Sequence, residues 1–129
     1  MSRKSKGINA ERELVHLFQS NGWSAVRIAG SGSSKYPSPD VLASNALRRL
    51  AIECKTLKEG KKYFSEEDIG QLKEFATKFG TESWIGIKFG GMPWYFLSLE
   101  DLEKTGKNMA ISVDLAQKKG LKFENLIGK

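Results

Sequence analysis

Three acids and one lysine could do chemistry together: Glu11, Asp40, Glu53 and Lys55. Pro39-Asp40 is followed, after twelve residues, by Glu53-Cys54-Lys55. Alternate side chains of a strand share a face, so Glu53 and Lys55 point one way and Cys54 the other. A buried carboxylate or ammonium without a partner is costly. Gathering acids beside a lysine makes physical sense if a divalent cation neutralises them. Carboxylate oxygens are hard ligands that suit Mg2+, with Mn2+ as a substitute, and such an ion keeps waters and binds substrate phosphate. The reaction this set could run is hydrolysis of a phosphodiester. The ion would lower the pKa of a bound water, and Lys55 would add a positive point charge near the phosphoryl oxygens. Taken alone, a Glu-x-Lys tripeptide is common and reads as the polar side of an exposed strand, with Asp40 a turn cap. Pro39-Asp40 on the adjacent strand tips the balance toward chemistry.

Composition narrows the alternatives. The chain has 129 residues, 40% hydrophobic and 28% charged, which fits a single folded domain over residues 1–129. One cysteine, Cys54, excludes an internal disulfide framework and a multi-thiolate zinc site. One histidine, His16, excludes a His-rich metal site within the chain. No apolar run approaches the roughly 18 residues of a membrane span. The basic start, Met1 to Lys6, has no apolar stretch behind it and is no secretory signal. The expected location is the cytoplasm. Net charge is +6, and it is uneven: residues 1–65 carry 12 basic and 5 acidic side chains, residues 66–129 carry 9 and 10. A basic first half suits a polyanionic partner.

The elements that must position these groups follow from periodicity. Residues 1–6 read as a mobile basic arm, with Lys4 and Lys6 available to a nucleic acid. A helix is expected from Asn9, its cap, to Asn21, with Ala10, Leu14, Leu17 and Phe18 as its apolar stripe and Gly22 as its stop. Glu11 flanks that stripe and leans inward, whereas His16 faces solvent. A strand over Trp23–Ile28 leads into a Gly/Ser/Pro-rich loop over 30–39, which carries Lys35. Val41–Ala43 is a short strand, Ser44-Asn45 a turn, and Arg48–Thr56 the strand bearing Glu53 and Lys55. Gly60–Tyr63 reads as a basic connection, and Lys58, Lys61 and Lys62 as phosphate contacts. Ser65 should cap a second helix with Leu72, Phe75, Ala76 and Phe79 as its stripe and Gly80 as its end. Ser83–Phe89 and Trp94–Ser98 should form a hairpin around Gly90-Gly91. A strand near Met109–Val113 and a helix near Asp114–Lys119 complete the pattern. It describes an α/β fold, a mixed central sheet flanked by helices.

Pro39-Asp40 and Glu53-Cys54-Lys55 resemble the PD-(D/E)xK nuclease signature. More closely, the chain resembles archaeal Holliday junction resolvases of the Hjc type. The shared features are Lys6-Gly7, Ala10-Glu11-Arg12-Glu13-Leu14, Val26-Arg27, Gly30-Ser31-Gly32-Ser33, Pro39-Asp40, Ile52-Glu53-Cys54-Lys55, and Glu74-Phe75-Ala76 followed by Gly80. They span residues 6–98. The resemblance implies a restriction-endonuclease-like fold and a homodimeric, magnesium-dependent endonuclease that nicks opposed strands of a four-way DNA junction. It implies that Glu11, Asp40 and Glu53 bind metal and that Lys55 is catalytic. A loop hydroxyl, Ser31 or Ser33, would join them, with Arg12 and Arg27 beside the scissile phosphate and Phe75 and Phe79 at the dimer interface. Recombination or replication proteins are conceivable further partners, though no motif identifies one.

Plainer readings stand beside these. Without the resemblance, Phe75 and Phe79 are core residues. Cys54 is packing, and Trp84, Trp94 and Tyr95 belong to core or interface more readily than to a base-stacking platform. Two other functions fit the same residues. A repair or restriction nuclease of the same class is one, although 129 residues leave little room for a target-recognition region. A non-catalytic nucleic-acid-binding module is the other, and it gives no reason to gather acids near phosphate.

Overall fold

The computed structural model describes residues 3–31 and 35–128, with the backbone alone for residues 3–5. The chain runs α1 (Arg3–Gln19), β1 (Ser24–Arg27), β2 (Val41–Ser44), β3 (Arg49–Leu57), β4 (Lys61–Ser65), α2 (Glu66–Phe79), β5 (Glu82–Phe89) and β6 (Trp94–Leu97). A 3-10 turn at Leu99–Asp101 then leads to β7 (Glu103–Thr105), β8 (Asn108–Ser112), α3 (Val113–Lys119) and α4 (Phe123–Leu126). Five strands make the central sheet in the order β1-β2-β3-β5-β6. It is mixed: β3 and β5 are parallel, and every other neighbouring pair in it is antiparallel. The parallel pair requires a crossover, and β4 with α2 provides it. A second sheet, in the order β4-β8-β7, lies apart.

The central sheet is covered on both faces. On one face Leu14 and Phe18 of α1 and Phe123 and Leu126 of α4 pack on Ala25, Val41, Ala43, Leu50, Ile52 and Phe96. On the other, Ile69 and Leu72 of α2, Phe64 and Ile111 of the small sheet, and Ala116 of α3 pack on Ala51, Ile85, Ile87 and Leu97. Burying a side chain such as Phe18 contributes about 1.5–3 kcal/mol. The outer edge of β6 is occupied as well: Phe96 and Leu121 exchange backbone hydrogen bonds of 2.8 Å.

Several expectations need correction. The first helix begins at Arg3, not Asn9, so residues 3–6 belong to α1 and Asn9 is inside the helix rather than its cap. No proline interrupts residues 3–9, and the one glycine, Gly7, costs an interior helix only about 1 kcal/mol. The basic connection at 60–63 is largely β4, whose one buried residue, Phe64, leaves almost no alternation to read. β7 and α4 were not anticipated. The α2 stripe is Ile69, Leu72 and Ala76; Phe75 is half-buried, and Phe79 is 59% exposed while stacked on Phe75 at 4.8 Å. Other readings hold. Ser65 and Asp68 form a capping box, and Gly80 closes α2 in the left-handed conformation at φ 79°. Asn45 turns the β2–β3 hairpin by accepting from the backbone N–H of Leu47 and of Arg48, both at 2.8 Å. Trp94 and Tyr95 are buried, and Trp84 is half-buried and donates to Glu82.

Candidate active site

The β2–β3 hairpin places the key acids. Asp40 immediately precedes β2, and Val41 pairs with Ile52, so Asp40 falls opposite the Glu53 end of β3. The backbone pins it there: the Asp40 N–H donates to the Ile52 carbonyl at 3.1 Å, and its own carbonyl accepts from the Ile28 N–H at 2.8 Å. Asp40 is the one buried charged residue among those described. Its carboxylate is held from two sides. Oδ1 accepts from the Ser31 hydroxyl at 2.6 Å, and Oδ2 accepts from the Cys54 backbone N–H at 2.8 Å.

Glu53 and Lys55 do share a face, with Lys55 Nζ 3.5 Å from Glu53 Oε2. Burial raises the Glu53 carboxyl to about 7, the negative charge of Asp40 adds to this, and Lys55 pulls the other way. Glu11 approaches from α1. Its oxygen lies 3.4 Å from Arg27 Nη1, and its pKa is raised by burial and by Asp40. The Cys54 thiol is buried and pushed up by desolvation, the opposite of an activated nucleophile.

Asp40, Glu53 and Lys55 open onto a cleft of about 420 Å³. Ser31, Asp40, Glu53 and Lys55 line it with the 35–38 segment and with Asp68, Gln71 and Leu72 of α2. The α2 residues were missed because each looks unexceptional: Asp68 reads as a cap residue and Gln71 as solvated surface. The signal lay in topology. A crossover helix that follows β3 must pass over the carboxyl end of that strand, where ligands of open α/β sheets bind.

The expected site residues are distributed as follows. Asp40, Glu53, Lys55 and Ser31 meet in the cleft. Glu11 is turned toward Arg27, and among the described residues no three His, Cys, Asp or Glu side chains form a ready metal-binding group. The donor set still suits magnesium, which is held by one or two carboxylates with waters and substrate phosphate completing the shell. Asp40 and Glu53 would be that pair. Ser33 and the side chain of Lys4 lie outside the described residues. Lys6, Arg12, Lys35, Lys58 and Lys61 are exposed, and Lys62 and Arg27 are partly covered. Lys61 is 3.5 Å from Glu103, and Lys35 lies over the Tyr36 ring at 5.8 Å.

The mixed sheet, its flanking helices and the Asp40/Glu53/Lys55 cleft define a PD-(D/E)xK-type nuclease domain. The family model described as archaeal Holliday junction resolvase (Hjc) matches residues 2–129, and the chain belongs to that family. It is 39% identical over 126 residues to the crossover junction endodeoxyribonuclease Hjc of Archaeoglobus fulgidus, covering 98% of this chain and 92% of that one. It is 33% identical over 129 residues to the Hjc of Sulfurisphaera tokodaii, covering 98% and 88%. The 1.6 Å structure of A. fulgidus Hjc, a Holliday junction resolvase from an archaeal hyperthermophile, is similar with a TM-score of 0.87. At 36% identity it covers 95% of this chain and 100% of its own. Among the described residues no helix is long and apolar enough to cross a membrane.

Proposed function

We propose that this chain is a structure-selective DNA endonuclease that resolves four-way junctions by paired, magnesium-dependent nicks in opposed strands. One observation carries the reading: Asp40, Glu53 and Lys55 meet in one cleft, in a chain whose relatives are named crossover junction endodeoxyribonucleases. Asp40 and Glu53 would hold Mg2+, or Mn2+ in its place, and such an ion would supply Lewis-acid stabilisation of the phosphoryl group. Ser31 and the Cys54 N–H fix the Asp40 oxygens before substrate arrives. Glu11, paired with Arg27 at 3.4 Å and near enough to Asp40 for that charge to raise its pKa, would be the third acid of the set. Lys55 donates to the attacking water or to a non-bridging oxygen. Lys6, Arg12, Lys35, Lys58, Lys61 and Lys62 neutralise neighbouring phosphates, which positions the duplex arms without reading bases. Selectivity then comes from junction shape.

Among the described residues one chain carries one such cleft, and resolution takes two cuts, so the working unit is a homodimer matched to the two-fold symmetry of the junction. The exposed Phe79, stacked on the half-buried Phe75, supports an apolar interface on α2. The family is described as archaeal, and archaeal cells have no nucleus, so the cytoplasm is where the proposed enzyme meets its DNA. The test is magnesium-dependent nicking of a synthetic four-way junction beside a linear duplex of the same sequence. Paired nicks in the junction alone are expected. Equal cutting of the duplex refutes structure selectivity and favours a general repair or restriction nuclease. Binding without cutting refutes catalysis and favours a binding module.

A further inference from the structure

The cleft has a wall that the acids and lysine do not explain. α2 contributes Asp68, Gln71 and Leu72 to it. Two of the three are already committed. Asp68 is held in the capping box, accepting from the Ser65 N–H at 3.2 Å, and Leu72 is buried in the core. Gln71 is exposed, and its one side-chain hydrogen bond among the described residues is a long, solvated contact of 3.4 Å to Glu67, one turn earlier. Such intrahelical pairs contribute only a few tenths of a kcal/mol and break easily. The helix beneath it is fixed at both ends by the Ser65 capping box and the Gly80 cap. A helix capped at both ends therefore presents a weakly held amide to the cleft that Glu53 and Lys55 also line.

We propose that Gln71 contacts the substrate, its side-chain amide donating a hydrogen bond to a non-bridging oxygen of the scissile phosphate. This rests on the nuclease reading above and adds a fourth group to Asp40, Glu53 and Lys55. The chemistry suits the place. A phosphate in this cleft lies close to Asp40 and Glu53, so another carboxylate on α2 would repel it. A lysine there would compete with a bound cation. A neutral amide donates without adding charge. The orphaned hydroxyl of Ser38 points the same way. It lines the cleft, its oxygen is buried, and it has no hydrogen-bond partner among the described residues. Buried polar atoms are nearly always paired, so these walls hold hydrogen-bonding capacity that a polar ligand completes.

The test is single-turnover nicking of a synthetic four-way junction by wild type, Gln71→Ala, Gln71→Glu and the control Glu67→Ala. The scissile phosphate is normal or carries sulfur at one non-bridging position, as either diastereomer. Gln71→Ala should slow nicking about 10- to 100-fold, the value of a hydrogen bond to a charged group. Junction affinity and melting temperature should stay at wild-type levels. Gln71→Glu should be slower still. Glu67→Ala should match wild type, since Gln71 acts directly and not through its helical neighbour. Sulfur is a poor acceptor, so the Gln71→Ala penalty should shrink with one diastereomer and persist with the other, a non-additivity expected only of groups in contact. Wild-type rates for Gln71→Ala, an equal loss from Glu67→Ala, or the same penalty on all three substrates would each overturn the assignment. A wild-type protein that fails to nick the junction overturns the nuclease reading itself, and this outcome is visible before any variant is made.

Discussion

Replacing Glu53 by glutamine should make the metal-free protein more stable at alkaline pH and catalytically dead. The Glu53 carboxyl, ordinarily at 4.5, sits at about 7 because of burial and the nearby Asp40 charge. Between those two values the folded chain keeps a proton that the unfolded chain has released, so stability falls as pH rises through the window. Below it Glu53 is protonated in both states and costs nothing; above it the full penalty is present. At about 1.4 kcal/mol per pH unit, the interval amounts to about 3 kcal/mol. That is an upper bound, since 29% of the side-chain surface remains in water, which screens the charge. Glutamine keeps the shape and offers an N–H where the protonated acid offers an O–H to Asp40. Urea unfolding in EDTA at about pH 4 and about pH 8 measures the difference directly. The two proteins should coincide at the lower pH, and Glu53→Gln should be the more stable by about 2–3 kcal/mol at the higher. Magnesium should then stabilise wild type more than the variant, because it binds the folded state through the carboxylate that is missing. Parallel pH profiles, or a variant that is weaker at high pH, would show that Lys55 already compensates the charge and that the acid pair is not strained.

Four further outcomes are expected. Asp40→Asn should lower nicking at least about 100-fold while binding the junction as well as or better than wild type, and Lys55→Ala should lose nicking with no rescue by extra magnesium; single-turnover rates and gel-shift affinities decide both. Junction affinity should fall with salt at a log–log slope of about −0.9 per neutralised phosphate, and a flat titration would rule out a phosphate-dominated interface. Phe75→Glu with Phe79→Glu should shift the protein to monomer in sedimentation and abolish paired nicking. A wild-type monomer at micromolar concentration that still resolves junctions would end the dimer proposal, and a double variant that unfolds would place these rings in the core.

The meeting of Asp40, Glu53 and Lys55 in the candidate site was legible because it depends on short-range geometry. Alternation along β3 puts Glu53 and Lys55 on one face whatever surrounds the strand, and the short Ser44–Arg48 turn returns Asp40 to their level. The ends of α2 were equally readable, since the Ser65 cap and the Gly80 stop are decided within a few residues. The parts that resisted reading depend on distant partners. β4 is a strand because β8, some fifty residues later in the sequence, offers it a backbone edge, and nothing in Lys61–Ser65 itself announces that. α1 extends back to Arg3 because nothing breaks it, and the absence of a breaker is a weaker signal than the presence of a cap. Glu11 and Arg27 face each other only because α1 lies across β1, and this contact, not the acidity of Glu11, determines where its carboxylate points. Gln71 belongs to the cleft only because the crossover carries α2 over the end of β3. The grouping of the candidate acids with Lys55 is thus a local property of the chain. Which neutral residues stand beside them, and how far burial shifts Glu53, depends on contacts between segments remote in sequence, whose loop-closure cost is met only when the whole core forms.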